Sequence, residues 1–130
     1  MSKLEPIKTK NAPEAIGPYS QAMRAGEFIY ISGQIALVPD TMEIISKDFD
    51  DQANQVFKNL LAIVKEAGCT LSDTVKINIY LKDMSNFQRV NSIMESFFTD
   101  KPFPARAAVE VSRLPKDVEI EIDAVLYTCD

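Results

Sequence analysis

The sharpest pattern in the chain lies at Asp73–Lys82, where Val75, Ile77, Ile79 and Leu81 alternate with Thr74, Lys76, Asn78 and Tyr80. A period of two predicts a strand with one buried face. The same period recurs at Glu27–Ser32, where Ile29 and Ile31 oppose Phe28, Tyr30 and Ser32. It returns at Val118–Tyr127, with Val118, Ile120, Ile122, Ala124 and Leu126 against Glu119, Glu121, Asp123, Val125 and Tyr127. Elsewhere the period lengthens. Ala53, Val56, Phe57, Leu60, Leu61 and Val64 fall on one helical stripe, opened by Asp48 as N-cap and stopped by Gly68. Phe87, Val90, Met94, Phe97 and Phe98 predict a second helix over Ser85–Thr99, with Asn91 beside its apolar stripe.

The remaining segments are less regular. Ile7–Thr9 reads as a short opening strand, and Asn11–Gln21, with Pro13, Gly17 and Pro18, as an ordered loop. Gly33 is expected to break its strand, which resumes over Gln34–Val38; Pro39-Asp40-Thr41 then turns the chain into a short arm at Met42–Ile45. Pro102 and Pro104 hold the approach to Ala105–Val111 extended. Alternation there separates Ala105, Ala107, Val109 and Val111 from Arg106, Ala108 and Glu110. The short link Leu114–Asp117 predicts that the last two strands are antiparallel neighbours, which puts Arg106 and Glu121 on adjacent strands. Whether they meet depends on register.

Two helices among strands that each have one good apolar face predict an α+β fold. It is a single domain over residues 1–130, with two layers and both helices on one face of a mixed sheet. The other face would carry Phe28, Tyr30, Tyr80, Val125 and Tyr127 among charged residues. So much aromatic surface predicts a subunit interface.

Composition narrows the chemistry. A chain of 130 residues, 46% hydrophobic, has room for one core and contains no run long enough to span a membrane. Met1–Pro6 has no apolar signal region, so a cytoplasmic protein is expected. A net charge of −5 without basic runs argues against a nucleic-acid surface. The chain has no histidine, which removes Ser-His-Asp and Cys-His catalysis and histidine metal sites. Cys69 and Cys129 fit neither a zinc site nor a redox pair and read as free thiols. Asp48, Asp50 and Asp51 read as complements to a helix dipole rather than a cation site. No metal and no cofactor is called for.

Arg106, flanked by alanines, can present a planar charged fork to a carboxylate or phosphate; the plain alternative is a surface arginine on an edge strand. Pro104-Ala105-Arg106, Arg113-Leu114-Pro115-Lys116-Asp117 and Ile120-Glu121-Ile122 together resemble the RidA/YjgF family of reactive-intermediate deaminases, also named the endoribonuclease L-PSP family. Ile16-Gly17-Pro18-Tyr19, Ser32-Gly33-Gln34-Ile35, and Val90-Asn91 followed by Phe97-Phe98 match further blocks in order.

The resemblance implies a chorismate-mutase-like homotrimer with clefts between subunits. It also implies hydrolysis of small 2-imino acids to 2-keto acids and ammonia. Arg106 would hold the substrate carboxylate and Glu121 would orient the attacking water. Tyr19, Ser32, Gly33 and Asn91 match the family's pocket positions. Ala108 stands where well-studied members often have cysteine, so thiol-dependent behaviour should be missing while backbone contacts persist. Two other functions stay open: a single-strand endoribonuclease or translation inhibitor, and a noncatalytic regulatory trimer that senses a carboxylate metabolite. Taken singly, Glu121 also reads as a solvated strand acid, Tyr19 as loop packing, Ser32 as a hydroxyl bonded to nearby backbone, and Asn91 as a solvated helix residue.

Overall fold

The computed structural model describes residues 3–128. Six strands, β1 (Leu4–Ile7), β2 (Ala22–Ala25), β3 (Phe28–Gln34), β4 (Thr74–Leu81), β5 (Ala105–Glu110) and β6 (Ile120–Tyr127), form one sheet in the order β1-β2-β3-β6-β4-β5. Helices α1 (Phe49–Glu66) and α2 (Phe87–Phe97) cover one face. The expected two-layer α+β architecture with a mixed sheet is therefore the observed one. No helix among the described residues is long and apolar enough to cross a membrane.

The periodicities translate directly into burial. Ile29, Ile31, Ile77, Ile79, Leu81, Ile120, Ile122, Ala124 and Leu126 point into the core. There they meet the α1 stripe of Ala53, Val56, Phe57, Leu60 and Val64. Phe57 joins the helices by stacking on Phe97 at 5.3 Å between centroids and meeting Phe98 edge-on at 6.2 Å. Asp48 caps α1, its carboxylate accepting from Asp51 N at 3.0 Å, a bond whose loss costs about 0.5–2 kcal/mol. Gly68, at φ +79°, turns the chain out of the helix. Arg24 then donates to the orphan carbonyl of Ala67 at 2.9 Å, which fastens the end of α1 to β2.

Four local expectations are corrected, and one strand, β2, was not foreseen. The opening strand is Leu4–Ile7 rather than Ile7–Thr9; it is an edge strand, where Pro6 is tolerated. Strand β2 carries no alternation of large apolar residues, and its pairing is set by the two-residue turn at Gly26-Glu27 that joins it to β3, with Gly26 at φ +63°. Gly33 does not end β3. Ser32 and Gly33 instead oppose the single residue Asp123, forming a bulge between the pairs Ile31↔Ala124 and Gln34↔Ile122. Beyond Gln34 the arm shrinks to one bridge, Leu37↔Ile44, held to α1 by Asn59, whose amide donates to the carbonyls of Ile35 and Leu37 at 3.1 and 3.0 Å. A second bulge, at Thr74/Lys76, leaves Val75 exposed although the alternation assigned it to the core.

The largest correction concerns the last two strands. β5 pairs with β4 in parallel, and β6 pairs with β4 and β3 antiparallel, so β4 separates Arg106 from Glu121. The cause is α2. A strand–helix–strand crossover makes β5 a parallel neighbour of β4, and β6 is left with β4's other edge. The link before β6 spans that gap with Lys116 and Asp117 both left-handed, at φ 56° and 55°. Cys129, read above as a free thiol, lies outside the described residues, while Cys69 is buried.

Candidate functional site

Four of the predicted site residues come together on the open face. Tyr19, Ser32, Gly33 and Glu121 line a hollow of about 510 Å³, with Pro13, Ile16 and Lys116 on its rim. The β3 bulge turns Ser32 and Gly33 toward this face, and Glu121, paired across from Tyr80, rises from β6 to meet them. Gly33 is required here for space. A Cβ on it would collide with Glu121 Oε2 and stand 2.8 Å from the carboxyl carbon. The strand therefore gives up a side chain so that a carboxylate can lie against its backbone.

That carboxylate is half-buried. Burial pushes Glu121 above the usual carboxylate range, and the neighbouring Asp123 carboxylate pushes it the same way. Asp123 is held from β4, accepting from Asn78 Nδ2 at 2.8 Å and from the Tyr80 hydroxyl at 3.0 Å. Burial, more than this hydrogen bond, raises the Tyr80 phenol.

The loop wall is equally determined. Gln21, buried, accepts from Thr9 N at 2.7 Å and donates to the carbonyl of Pro13 at 2.7 Å, which folds Thr9–Pro13 onto the sheet. Tyr19 stays half-exposed, its hydroxyl accepting from Ile16 N at 3.3 Å. The Ser32 hydroxyl donates to the Ser20 carbonyl at 2.6 Å, which leaves its lone pairs to accept.

Arg106 and Asn91 lie apart from these four. Arg106 pairs with Ile77, so its side chain leaves the sheet on the helix-covered face, opposite to Glu121. Its Nη1 donates to Asn91 Oδ1 at 2.6 Å, and its guanidinium carbon lies 5.1 Å from the Phe87 ring centre. Arg106 and Asn91, with Met94, Glu95, Phe103 and Pro104, line a second hollow of about 510 Å³ at the sheet edge. The guanidinium flanked only by alanines in sequence is thus gripped by α2. Ala108 packs beside the core opposite Ile79 and lines neither hollow.

Sequence reasoning missed Lys116, Phe87 and Met94 as neighbours of these groups. Phe87 and Met94 were visible only as part of a core stripe. Lys116 sat in a quoted motif, but nothing in a glycine-free link announces two consecutive left-handed residues. Among the described residues no three His, Cys, Asp or Glu side chains gather as a metal-binding group.

Fold and hollows define a class: a small two-layer α+β protein whose polar side chains gather in ligand-sized hollows. The chain belongs to the family described as Endoribonuclease L-PSP, whose model matches residues 9–128, and RidA proteins are among its structural neighbours. It is 52% identical over 123 residues to a RutC family protein of Pyrococcus horikoshii, covering 95% of this chain and 97% of that one. It is 47% identical over 121 residues to the 2-iminobutanoate/2-iminopropanoate deaminase of Salmonella typhimurium, covering 92% and 94%. The crystal structure of RidA from the Antarctic bacterium Psychrobacter superposes with a TM-score of 0.90 at 46% identity, covering 95% of this chain and 98% of that one.

Proposed function

We propose that the protein hydrolyses small 2-imino acids to 2-keto acids and ammonia, in clefts formed where two subunits of a homotrimer meet. The observation that carries this reading is the Glu121 carboxylate, partly desolvated in a space that Gly33 vacates. A half-buried acid of raised pKa that forms no ion pair among the described residues is costly for a fold and useful for moving a proton. The identity to a named deaminase supports the same chemistry.

In this scheme Arg106 holds the substrate carboxylate through two parallel hydrogen bonds, which fixes the imine carbon in position. Glu121 accepts a hydrogen bond from water and draws off its proton as the oxygen attacks that carbon. The protonated imine is already electrophilic, so no histidine is needed. Glu121 returns that proton to the amine nitrogen of the tetrahedral adduct, and the C–N bond breaks to release ammonia. The hydroxyl gives its proton back to the carboxylate and on to solvent or ammonia, leaving the 2-keto acid. Ser32, through its free lone pairs, and the Gly33 backbone N–H line the reacting centre, with Tyr19 and Asn91 at its borders.

Within one chain Arg106 and Glu121 lie on opposite faces with β4 between them. They can act on one substrate only if a neighbouring subunit supplies the arginine. The open sheet face supports such an assembly, with Phe28, Tyr30 and Tyr127 exposed by 39%, 52% and 39%. The family's name also points to RNA cleavage, to which a net charge of −5 lends no support. The deciding experiment measures ammonia release from a freshly generated 2-imino acid, with and without protein. Release at the uncatalysed rate would exclude the deaminase.

A further inference from the structure

We propose that Phe87 is a positioning residue for Arg106: its ring fixes the plane of the guanidinium so that the fork faces the substrate carboxylate. The inference rests on the functional reading above and extends it to a residue outside the matched motifs.

Phe87, Asn91 and Met94 stand at i, i+4 and i+7 on α2, one stripe of a helix. All three touch the same guanidinium. Asn91 Oδ1 accepts from Nη1 at 2.6 Å, Met94 Sδ lies 3.9 Å from that nitrogen, and the Phe87 ring centre is 5.1 Å from Cζ. The last contact is a cation–π pair within the distance at which such pairs attract. The three restrain different motions. Asn91 fixes one end of the fork, Met94 packs against that end, and the ring limits rotation of the plane.

Without these contacts Arg106 would be a long side chain on the outermost strand, with about 2 kcal/mol of rotamer entropy to lose on binding. The cradle removes part of that loss before the ligand arrives. It also leaves the geometry a carboxylate needs. Nη1 is spent on Asn91, while Nε and Nη2 make no hydrogen bond among the described residues. The edge bearing those two donors can therefore accept a bidentate carboxylate.

Phe87 is itself held in register with Arg106. Met84 N, just ahead of α2, donates to Glu110 Oε1 on β5 at 2.9 Å. Asp83 caps the next turn by accepting from Ser85 N at 2.9 Å, and this bond lowers its pKa below the ordinary value. The start of the helix is thus pinned to the strand that carries Arg106.

The test compares wild type, Phe87→Leu and Phe87→Tyr by calorimetric titration with 2-oxobutanoate, imine-hydrolysis kinetics and the Arg106 Nε–Hε resonance. Leucine keeps apolar bulk without the ring face, and tyrosine restores it. Phe87→Leu should bind the keto acid about three- to tenfold more weakly, as loss of a partly exposed cation–π contact implies. KM should rise by a similar factor with kcat nearly unchanged, since the carboxylate is held in ground state and transition state alike. The Arg106 resonance should move, and Phe87→Tyr should return all three readouts. If wild type binds and hydrolyses while Phe87→Leu matches it in affinity, Phe87 positions nothing and the inference falls alone. If wild type neither binds the keto acid nor hydrolyses the imine, the functional reading falls, and this inference with it.

Discussion

Gly33 and Glu121 compete for one volume: the carboxyl group of one stands where the side chain of the other would begin. Gly33 has no left-handed backbone angle, so alanine is tolerated by the chain itself and excluded only by the acid across the bulge. Gly33→Ala should fold, displace the carboxylate and lower imine hydrolysis by about tenfold to a thousandfold, or about 1.4–4 kcal/mol in the barrier. Circular dichroism beside the ammonia-release assay checks this. An unchanged rate in a native-like protein would show that the position of the carboxylate is immaterial.

Glu121→Gln separates stability from chemistry. A carboxyl group whose folded pKa is raised favours the fold when protonated, and that contribution is lost as pH climbs through the raised pKa. The glutamine variant is relieved of this loss. It should melt above wild type at pH 7, with the gap closing as pH falls through the ordinary carboxylate range. Its turnover should nevertheless drop by about tenfold to a thousandfold, because the anionic acceptor is gone. Melting curves at several pH values, taken with rates, test both halves.

Asp123→Asn should act on Glu121 from a distance. Removing the second negative charge lets the Glu121 pKa fall toward its ordinary value, although burial, the larger cause, remains. The acid limb of the pH–rate profile should therefore move to lower pH. An amide can satisfy only one of the two donors now bonded to Asp123, Asn78 and Tyr80, so some stability should go as well, by about 1–3 kcal/mol. A profile superimposable on wild type would remove Asp123 from any role in tuning the acid.

Arg106→Ala and Arg106→Lys should both lose imine hydrolysis and 2-keto-acid binding while keeping the assembled state. An unpartnered substrate carboxylate costs about 2–5 kcal/mol. Lysine restores charge without the fork, and its compact ammonium cannot use both the Asn91 anchor and a bidentate ligand. Wild-type behaviour of the lysine variant would mean that charge alone suffices.

A homotrimer is expected in solution, since Phe28, Tyr30 and Tyr127 lie open on the sheet face and the proposed reaction needs Arg106 and Glu121 together, which one chain holds in separate hollows. Light scattering at micromolar concentration reads this directly. A monomer there would leave the shared cleft without a basis.

What could be read from the sequence followed from how far periodicity reaches. α1, β4 and β6 each repeat an apolar spacing often enough that one face must be buried, and nearly all of their core residues were legible. β2 was not, because four residues reading Ala-Met-Arg-Ala show no period and owe their place to a turn. The order of β4, β5 and β6 was misread for a reason of connectivity. A short link suggests a hairpin, but the crossover through α2 had already claimed one side of β4 for β5. The partners of Arg106 were hidden likewise, since Phe87 and Asn91 lie a crossover away from it along the chain. The grouping of Tyr19, Ser32, Gly33 and Glu121 was legible through motifs alone; no spacing in the sequence forecasts a bulge that shares its space with an acid.

The central place of β6 sets the order in which the molecule can be built. β1–β3 form a meander by themselves, and β4, α2 and β5 form a crossover unit, yet within the sheet these halves are joined only through β6, the last of the six strands in sequence. Until it inserts, β3 and β4 each present an unpaired edge, the kind that recruits strands from other molecules. The pairings it makes are also far apart in sequence, as with Phe28 and Tyr127, so the step is slow to nucleate. A nascent chain on the ribosome would therefore carry two open edges until β6 emerges. Conditions that stall synthesis there should favour aggregation over a partly formed native sheet.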